Sequence, residues 1–396
     1  MGVPGSRRID RRDNALEGRP QPVLIRSLIA LIVLSSLTLG GCHVSGELEN
    51  QAYVLVLGID RAADGQLLLT ARVPQIGKGK PGEESGGGDY LAFSANGADW
   101  PHALDALERA TPRQMNLSHI GMIVVSEALA KEEGFGELIA RIAKTPHLYT
   151  TARFAVCAGQ ASEFIGAMKT VIGTRLSSEI SAMLDHYVRQ GFVPDGIFAD
   201  ACYLSRSIYG DPAAILCLLM PGEAPAVSMI DPIGSPDAGI QSPMRQRYEG
   251  AALFRQGRMV GTLDAGQTRL LNLIRGSIEA LPFECDGKAF TLTPEGRPHL
   301  SVDLEDGGAA LSLRVRLTTL DDVCAEDARR LEARLASSLI DVIRECQRLG
   351  AEPFGFSEAA AGHFATVPDW LASDWREQYR HANVTVQVEI HSVEAQ

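Results

Sequence analysis

One apolar stripe constrains this chain more than any other feature. Leu331, Leu335, Leu339, Val342, Cys346 and Leu349 recur at three- and four-residue spacing, so residues from about 325 to 350 form an amphipathic helix with one face to bury. Further on, Val384, Val386, Val388 and Ile390 alternate with Thr385, Gln387, Glu389 and His391, the period of a half-buried strand. A one-faced helix and a one-faced strand bury each other in a layered α+β arrangement.

The residues before that helix supply the rest of a sheet. "YEGAALFRQGRMVGTLD" reads as two strands around a Gln256-Gly257 turn, and "LDAGQTRLLNLIRG" as a short helix closed by Gly276. "AFTLTPEG", "PHLSVDLEDGG" and "AALSLRVRLT" follow as strands, with a turn at Asp306-Gly307-Gly308. Residues 248–396 are therefore expected to be a strand-rich α+β domain with one long helix and a final strand.

The first half has a different rhythm. "YVLVLGID" and "QLLLTARVP" form a hairpin around Asp64-Gly65, and from Tyr90 onward strands alternate with helices up to "RFAVCAG". In the first of these helices Asp99 is the N-cap, Pro101 lies in the first turn, and Ala103, Leu104 and Leu107 face inward. Helical stretches "SEFIGAMK", "SSEISAMLDHYVRQG" and "IFADACYLSRSI" precede a short strand, "AILCLLM". Residues 42–220 are expected to be an N-terminal α+β domain, divisible again near residue 160. Residues 221–247 carry five prolines and no sustained periodicity, which marks a linker. A chain of this length exceeds the roughly 250–300 residues at which single cores stop growing, so a multi-domain α+β protein with mixed sheets and packed helices is expected.

The N-terminus carries a different signal. Leu28 to Leu39 is an apolar run too short to cross a bilayer, which takes about 20 residues. Arg7, Arg8, Arg11, Arg12, Arg19 and Arg26 precede it, the layout of an export signal spanning residues 1–41. The basic segment is long for such a signal, which leaves the translation start open. Leu39-Gly40-Gly41-Cys42 resembles the bacterial lipobox, which would make Cys42 a lipidated N-terminal residue; the alternative is an uncleaved short anchor in which Cys42 is incidental. Each buried CH₂ of an acyl chain contributes about 0.8 kcal/mol of membrane affinity, so two or three chains hold a protein stably.

Residues 1–41 hold six arginines and three acids, so the chain without them has a net charge of −15. That excludes the basic footprint of nucleic-acid binding and disfavours attachment to anionic headgroups. Attachment must then come from lipid.

Catalytic constellations are missing from the sequence. There is no G-x-S-x-G elbow, no H-E-x-x-H pair and no G-x-G-x-x-G after a strand, and the glycine-rich run from Gly77 to Gly88 lacks a following G-K-[ST]. The histidines are dispersed, His363 with His381 being the nearest to a cluster, so neither metal nor cofactor is expected. Glu132-Glu133 and Asp321-Asp322 flank loops or helix starts, where solvated acids are common. Six cysteines remain beyond Cys42 without C-x-x-C spacing; several lie in apolar runs, and their even number leaves a disulfide open. Trp370, Trp375 and Tyr379, at roughly helical spacing, are either core or a partner-binding patch.

Several of these segments, taken in order, resemble one family. "EPFGFSEAAAGHFATVPDWLASDWREQYRHANVTVQVEIHSV" is similar to the end of the Ger(x)C family, the lipoprotein C subunits of spore germinant receptors, with its Asp-x-Phe-Gly-Phe/Leu-Gly-Glu segment, Trp-containing helical stretch and last strand of alternating valines. "GAALFRQGRMVGTLDAGQTRLLNLIRG" resembles its strand–turn–strand and following helix, and the lipobox, "GELEN" and "LGID" stand where the family has a lipidated Cys, an acidic run and a Gly-Ile-Asp. The resemblance covers almost all of the chain after Cys42 and is weakest over 221–247. Here His43-Val44 stands in place of Trp-Asp, Glu352-Pro353 in place of Asp-x, and Ser357 in place of a Gly.

The resemblance implies a non-enzymatic subunit that acts with two integral membrane subunits, of A and B type, on the outer face of the spore inner membrane. The competing classes are a solute-binding lipoprotein of a transporter and a lipid-anchored hydrolase. The first would have two similar lobes around a cleft, and the second a nucleophile–base pair.

Overall fold

The computed structural model describes residue 27 and residues 50–75, 90–168, 176–220, 227–228, 239–240, 245–305 and 308–392. The apolar run at 28–39, Cys42, the glycine-rich loop at 77–88, most of 221–247 and Asp306-Gly307 lie outside the described residues.

Two unlike sheets organise residues 49–396, which form one compact unit. The elements run β1 (Gln51–Tyr53), β2 (Val56–Arg61), β3 (Leu67–Pro74), β4 (Tyr90–Gly97), α1 (Trp100–Ala110), β5 (Gln114–Asn116), β6 (Met122–Ser126), α2 (Glu127–Ala130), α3 (Phe135–Ile142), β7 (Arg153–Ala158), α4 (Ala161–Gly166), α5 (Leu176–Arg189), α6 (Phe198–Leu204) and β8 (Ala213–Leu219). A short pair, β9 (Val227–Ser228) and β10 (Gly239–Ile240), precedes β11 (Gln246–Arg255), β12 (Arg258–Leu263), α7 (Ala265–Arg275), β13 (Leu281–Cys285), β14 (Lys288–Pro294), β15 (His299–Glu305) and β16 (Gly308–Thr319). The chain ends in α8 (Ala325–Leu349), α9 (Phe356–Ala361), α10 (Val367–Ala372), α11 (Trp375–His381) and β17 (Asn383–Ser392).

The first sheet has eight strands in the order β12-β11-β8-β7-β6-β2-β3-β4. Its centre, β2, β6, β7 and β8, is parallel, and antiparallel strands extend it on both sides. Strands covered on both faces read as near-continuous apolar runs. "MIVVS" in β6 is such a run, and all five of its residues are buried. Helices α1, α2, α3 and α6 cover one face through Trp100, Leu107, Phe135, Ile139 and Phe198, while α4 and α5 cover the other through Phe164, Ile165, Ile180 and Leu184. Strands β11 and β12 complete this sheet from beyond 221–247, so it draws on both sides of the segment read as a linker.

The second sheet has five strands, with β16 pairing antiparallel to β14 and β15 and parallel to β17. Leu331, Leu335, Leu339, Val342 and Cys346 of α8 are buried against it, and Leu349 is packed at the margin of the same core. Glu332 of α8 accepts the Ile390 N–H of β17, covering one donor of that strand.

Local chemistry accounts for the element ends. Asp99 caps α1 through the His102 N–H at 3.1 Å, with Trp100 rather than Leu104 taking a buried place beside Ala103 and Leu107. Asp264 and Gln267 form a reciprocal capping box on α7, which Gly276 ends at φ 68°. Gly97 meets α1 so closely that a Cβ there would lie 2.1 Å from the Ala103 nitrogen. Among the described residues no helix is long and apolar enough to cross a membrane.

Candidate functional site

The most densely organised polar groups are two buried carboxylate cradles. The first belongs to "LGID". Gly58 lies under α4, where a Cβ would come 2.6 Å from the Ile165 Cδ1. Asp60, fully buried, accepts the Ala161 and Ser162 N–H groups at 2.7 and 2.8 Å, so it holds the N-terminus of α4 from a neighbouring strand. Arg72 on β3 holds the other end by donating to the carbonyls of Ile165, at 3.1 Å, and Met168. A carboxylate at the N-terminus and a guanidinium at the C-terminus match the helix dipole. Burial pushes the Arg72 pKa down from its usual value.

The second cradle joins four distant segments. Asp211, whose side chain is fully buried, accepts the Gln256 N–H at 2.9 Å, the Glu352 N–H at 3.1 Å and both Arg376 Nη atoms at 2.8 and 3.2 Å. Glu352 folds back on its own segment: Oε1 accepts the N–H groups of Phe354, Gly355 and Phe356 at 2.9–3.1 Å, and Oε2 accepts that of Ser357 at 3.2 Å. Gly355 takes φ 106°, which curls these donors around the carboxylate. Burial nonetheless outweighs the donors and pushes the Glu352 carboxyl up to about 7.

The two tryptophans belong to this neighbourhood, and of the two readings, core or partner-binding patch, their burial fits the core. Trp370 and Trp375 are each 4% exposed. Trp370 stacks on Tyr209 at 5.9 Å and packs against Trp375 at 5.8 Å, while the Trp375 Nε1–H donates to the Ser357 Oγ at 2.9 Å. The short helices α9 to α11 have few residues each, so large rings carry their attachment to the core. Ser357, where the family pattern has Gly, supplies the acceptor that a buried indole needs.

The other sequence candidates sit apart from the cradles. Glu132 pairs with Arg61, and Asp321 accepts the Thr291 N–H at 3.1 Å and the Thr319 hydroxyl at 2.9 Å. His381 lies 2.9 Å from Glu377 beside an open cleft of about 360 Å³, which Asp374 and Gln378 also line. His363 is exposed after α9. Among the described residues no three His, Cys, Asp or Glu side chains converge as a metal site. The carboxylates of both cradles accept from donors of the fold itself, an arrangement that fastens segments together.

Asp211 and Arg376 escaped the sequence reading because their partners are remote in the chain. Asp60 figures there only as part of "LGID", and the rule that a buried charged residue must find a partner becomes applicable once the structure shows it buried.

Comparison with known proteins agrees with the order of these motifs. Residues 45–217 match the family described as spore germination protein N-terminal domain, and residues 249–394 match spore germination B3/GerAC like, C-terminal. Spore germination protein KC of Bacillus subtilis (strain 168) is 30% identical over 162 residues, an alignment spanning 40% of each chain. YfkR of the same strain, named as a candidate spore germination protein, is 21% identical over 381 residues, 90% of this chain and 93% of that one. A crystal structure of the GerBC protein is similar at a TM-score of 0.47 and 16% identity, over 85% of this chain and 96% of that chain. With both halves matched in order, the chain belongs to the Ger(x)C family of GerAC-like spore germination proteins.

Proposed function

We propose that this protein is the lipid-anchored C subunit of a nutrient germinant receptor, attached through Cys42 to the outer face of the spore inner membrane and associated there with integral membrane subunits of A and B type. The observation that carries the reading is the match of both germination-family halves, at 45–217 and 249–394, behind a basic and apolar segment ending in Leu-Gly-Gly-Cys. The acidic balance of the chain supports attachment by lipid rather than by charge. The buried carboxylates of the two cradles are held by donors of the fold itself, which supports a structural use of these acids. The unlike sheets, eight strands against five, tell against the paired lobes of a solute-binding protein.

A lipid anchor confines the subunit to two dimensions beside its partners and raises their effective concentration, so a contact of modest area is well occupied. The test is fractionation with metabolic fatty-acid labelling. Cys42→Ala should move the protein from membrane to soluble fraction and abolish the label; a label that survives the substitution contradicts the anchor.

A further inference from the structure

Two cysteines meet in the first sheet. Cys157 on β7 and Cys217 on β8 are in-register neighbours on adjacent parallel strands. Both side chains enter the apolar layer beneath α4 and α5, and they are 1% and 0% exposed. Adjacent strands lie about 4.8 Å apart, which falls within the roughly 4.4–6.8 Å between the Cα atoms of disulfide-bonded residues. The Cys157 thiol donates to the Gln160 carbonyl at 3.9 Å, and burial beside Cys157 holds the Cys217 thiol well above its usual pKa. The other described cysteines stand on separate elements: Cys202 in α6, Cys285 in β13, Cys324 before α8 and Cys346 within it.

The surroundings decide between nucleophile and redox pair. The row continues to Ser126 on β6, in register with Cys157, and to Tyr248 on β11, in register with Cys217. Neither neighbour is a cation or base able to stabilise a thiolate, as a reactive cysteine requires. What in-register placement on adjacent strands offers these two thiols is reaction with each other.

We propose that Cys157 and Cys217 are a redox pair that closes to a disulfide as the chain folds in an oxidising compartment, tying β7 to β8. The oxidant is a small disulfide of the glutathione class. One cysteine thiolate attacks it, forming a mixed disulfide and releasing one small thiol. The second cysteine then attacks the protein sulfur of that bond and releases the other small thiol. Two protein thiols are oxidised, one small disulfide is reduced to two thiols, and the two protons pass to the released thiolates. Both thiols are closed off in the finished fold, so the exchange precedes the packing of α4 and α5 over the sheet. The bond would close the long segment carrying α4, α5 and α6 and restrict the unfolded chain.

The test uses the full chain in mild detergent, unfolded and refolded in mixtures of reduced and oxidised glutathione, then alkylated and digested. A Cys157–Cys217 linked peptide about 2 Da lighter than its two thiol components should accumulate as oxidised glutathione rises. Protein kept native in the same mixtures should form it far more slowly, and the oxidised form should melt a few degrees higher. Cys157→Ala and Cys217→Ala should each remove that melting shift. Mapping the unsubstituted chain decides the matter even where a variant folds poorly: alkylation of both cysteines at every ratio, or linkage of either to a different cysteine, overturns the proposal.

Discussion

Replacing Asp211 by alanine tests whether the second cradle holds the tail onto the first sheet. The side chain is fully buried and accepts two backbone N–H groups, from Gln256 and Glu352, besides a forked pair of bonds from Arg376. Each buried donor left without an acceptor costs about 1–3 kcal/mol, and breaking a buried ion pair by removing one partner costs about 3–5 kcal/mol. The terms overlap, so Asp211→Ala should destabilise by about 3–5 kcal/mol. The Arg376 side chain is 30% exposed, and water can enter where its guanidinium stood while the Asp211 carboxylate keeps two N–H donors. Arg376→Ala should therefore cost less, about 1.5–3 kcal/mol, and the double variant clearly less than the sum. Urea denaturation of the chain from residue 43 onward, followed by tryptophan fluorescence, measures all three, since Trp370 and Trp375 lie in the core that the cradle supports. A loss below 1 kcal/mol for Asp211→Ala, or full additivity in the double variant, would refute the reasoning.

Further expectations concern single groups. Burial raises the Glu352 carboxyl from an ordinary 4.5 to about 7 in the fold, so its contribution is fully present below about pH 4.5 and is lost as the pH climbs through 7, a decline on the order of 3 kcal/mol. Glu352→Gln should flatten that part of the stability–pH curve between pH 4.5 and 8; an unchanged slope contradicts the assignment. Gly97→Ala places a methyl 2.1 Å from the Ala103 nitrogen and should cost more than about 3 kcal/mol, whereas Gly65→Ala, at a turn with open space, should cost about 1 kcal/mol through its φ of 82°. Equal melting temperatures for the two variants would show that α1 does not press on β4 as described.

What could be read from the sequence was what local periodicity encodes. The stripe from Leu331 to Leu349 specified α8, the alternation from Val384 to Ile390 specified β17, and Gln256-Gly257 specified the β11–β12 turn, where φ is 51° and 77°. Pairing between remote segments has no such local mark. That β11 joins β8 in the first sheet follows from registers that no single window contains. The edge strand β13 was missed because its five residues include Pro282, which suppresses a strand reading. The tryptophans were ambiguous for a related reason. Spacing says which residues share a face, and burial depends on what the rest of the chain lays over that face. The polar cradles were not legible: Asp60 was seen only as the end of "LGID", without its partners on α4, and Asp211 gained meaning once Arg376, far along the chain, was seen to reach it.

The proposed role of this family member is that of a receptor subunit in nutrient-triggered germination. The most direct measurement is germination of spores lacking its gene, in a strain without another C subunit of the family, scored by loss of optical density with each class of nutrient and with a nutrient-independent trigger. A receptor subunit requires that the response to at least one class of nutrient disappears while spore yield and the nutrient-independent response are unchanged; spores that germinate normally with every nutrient would contradict that role.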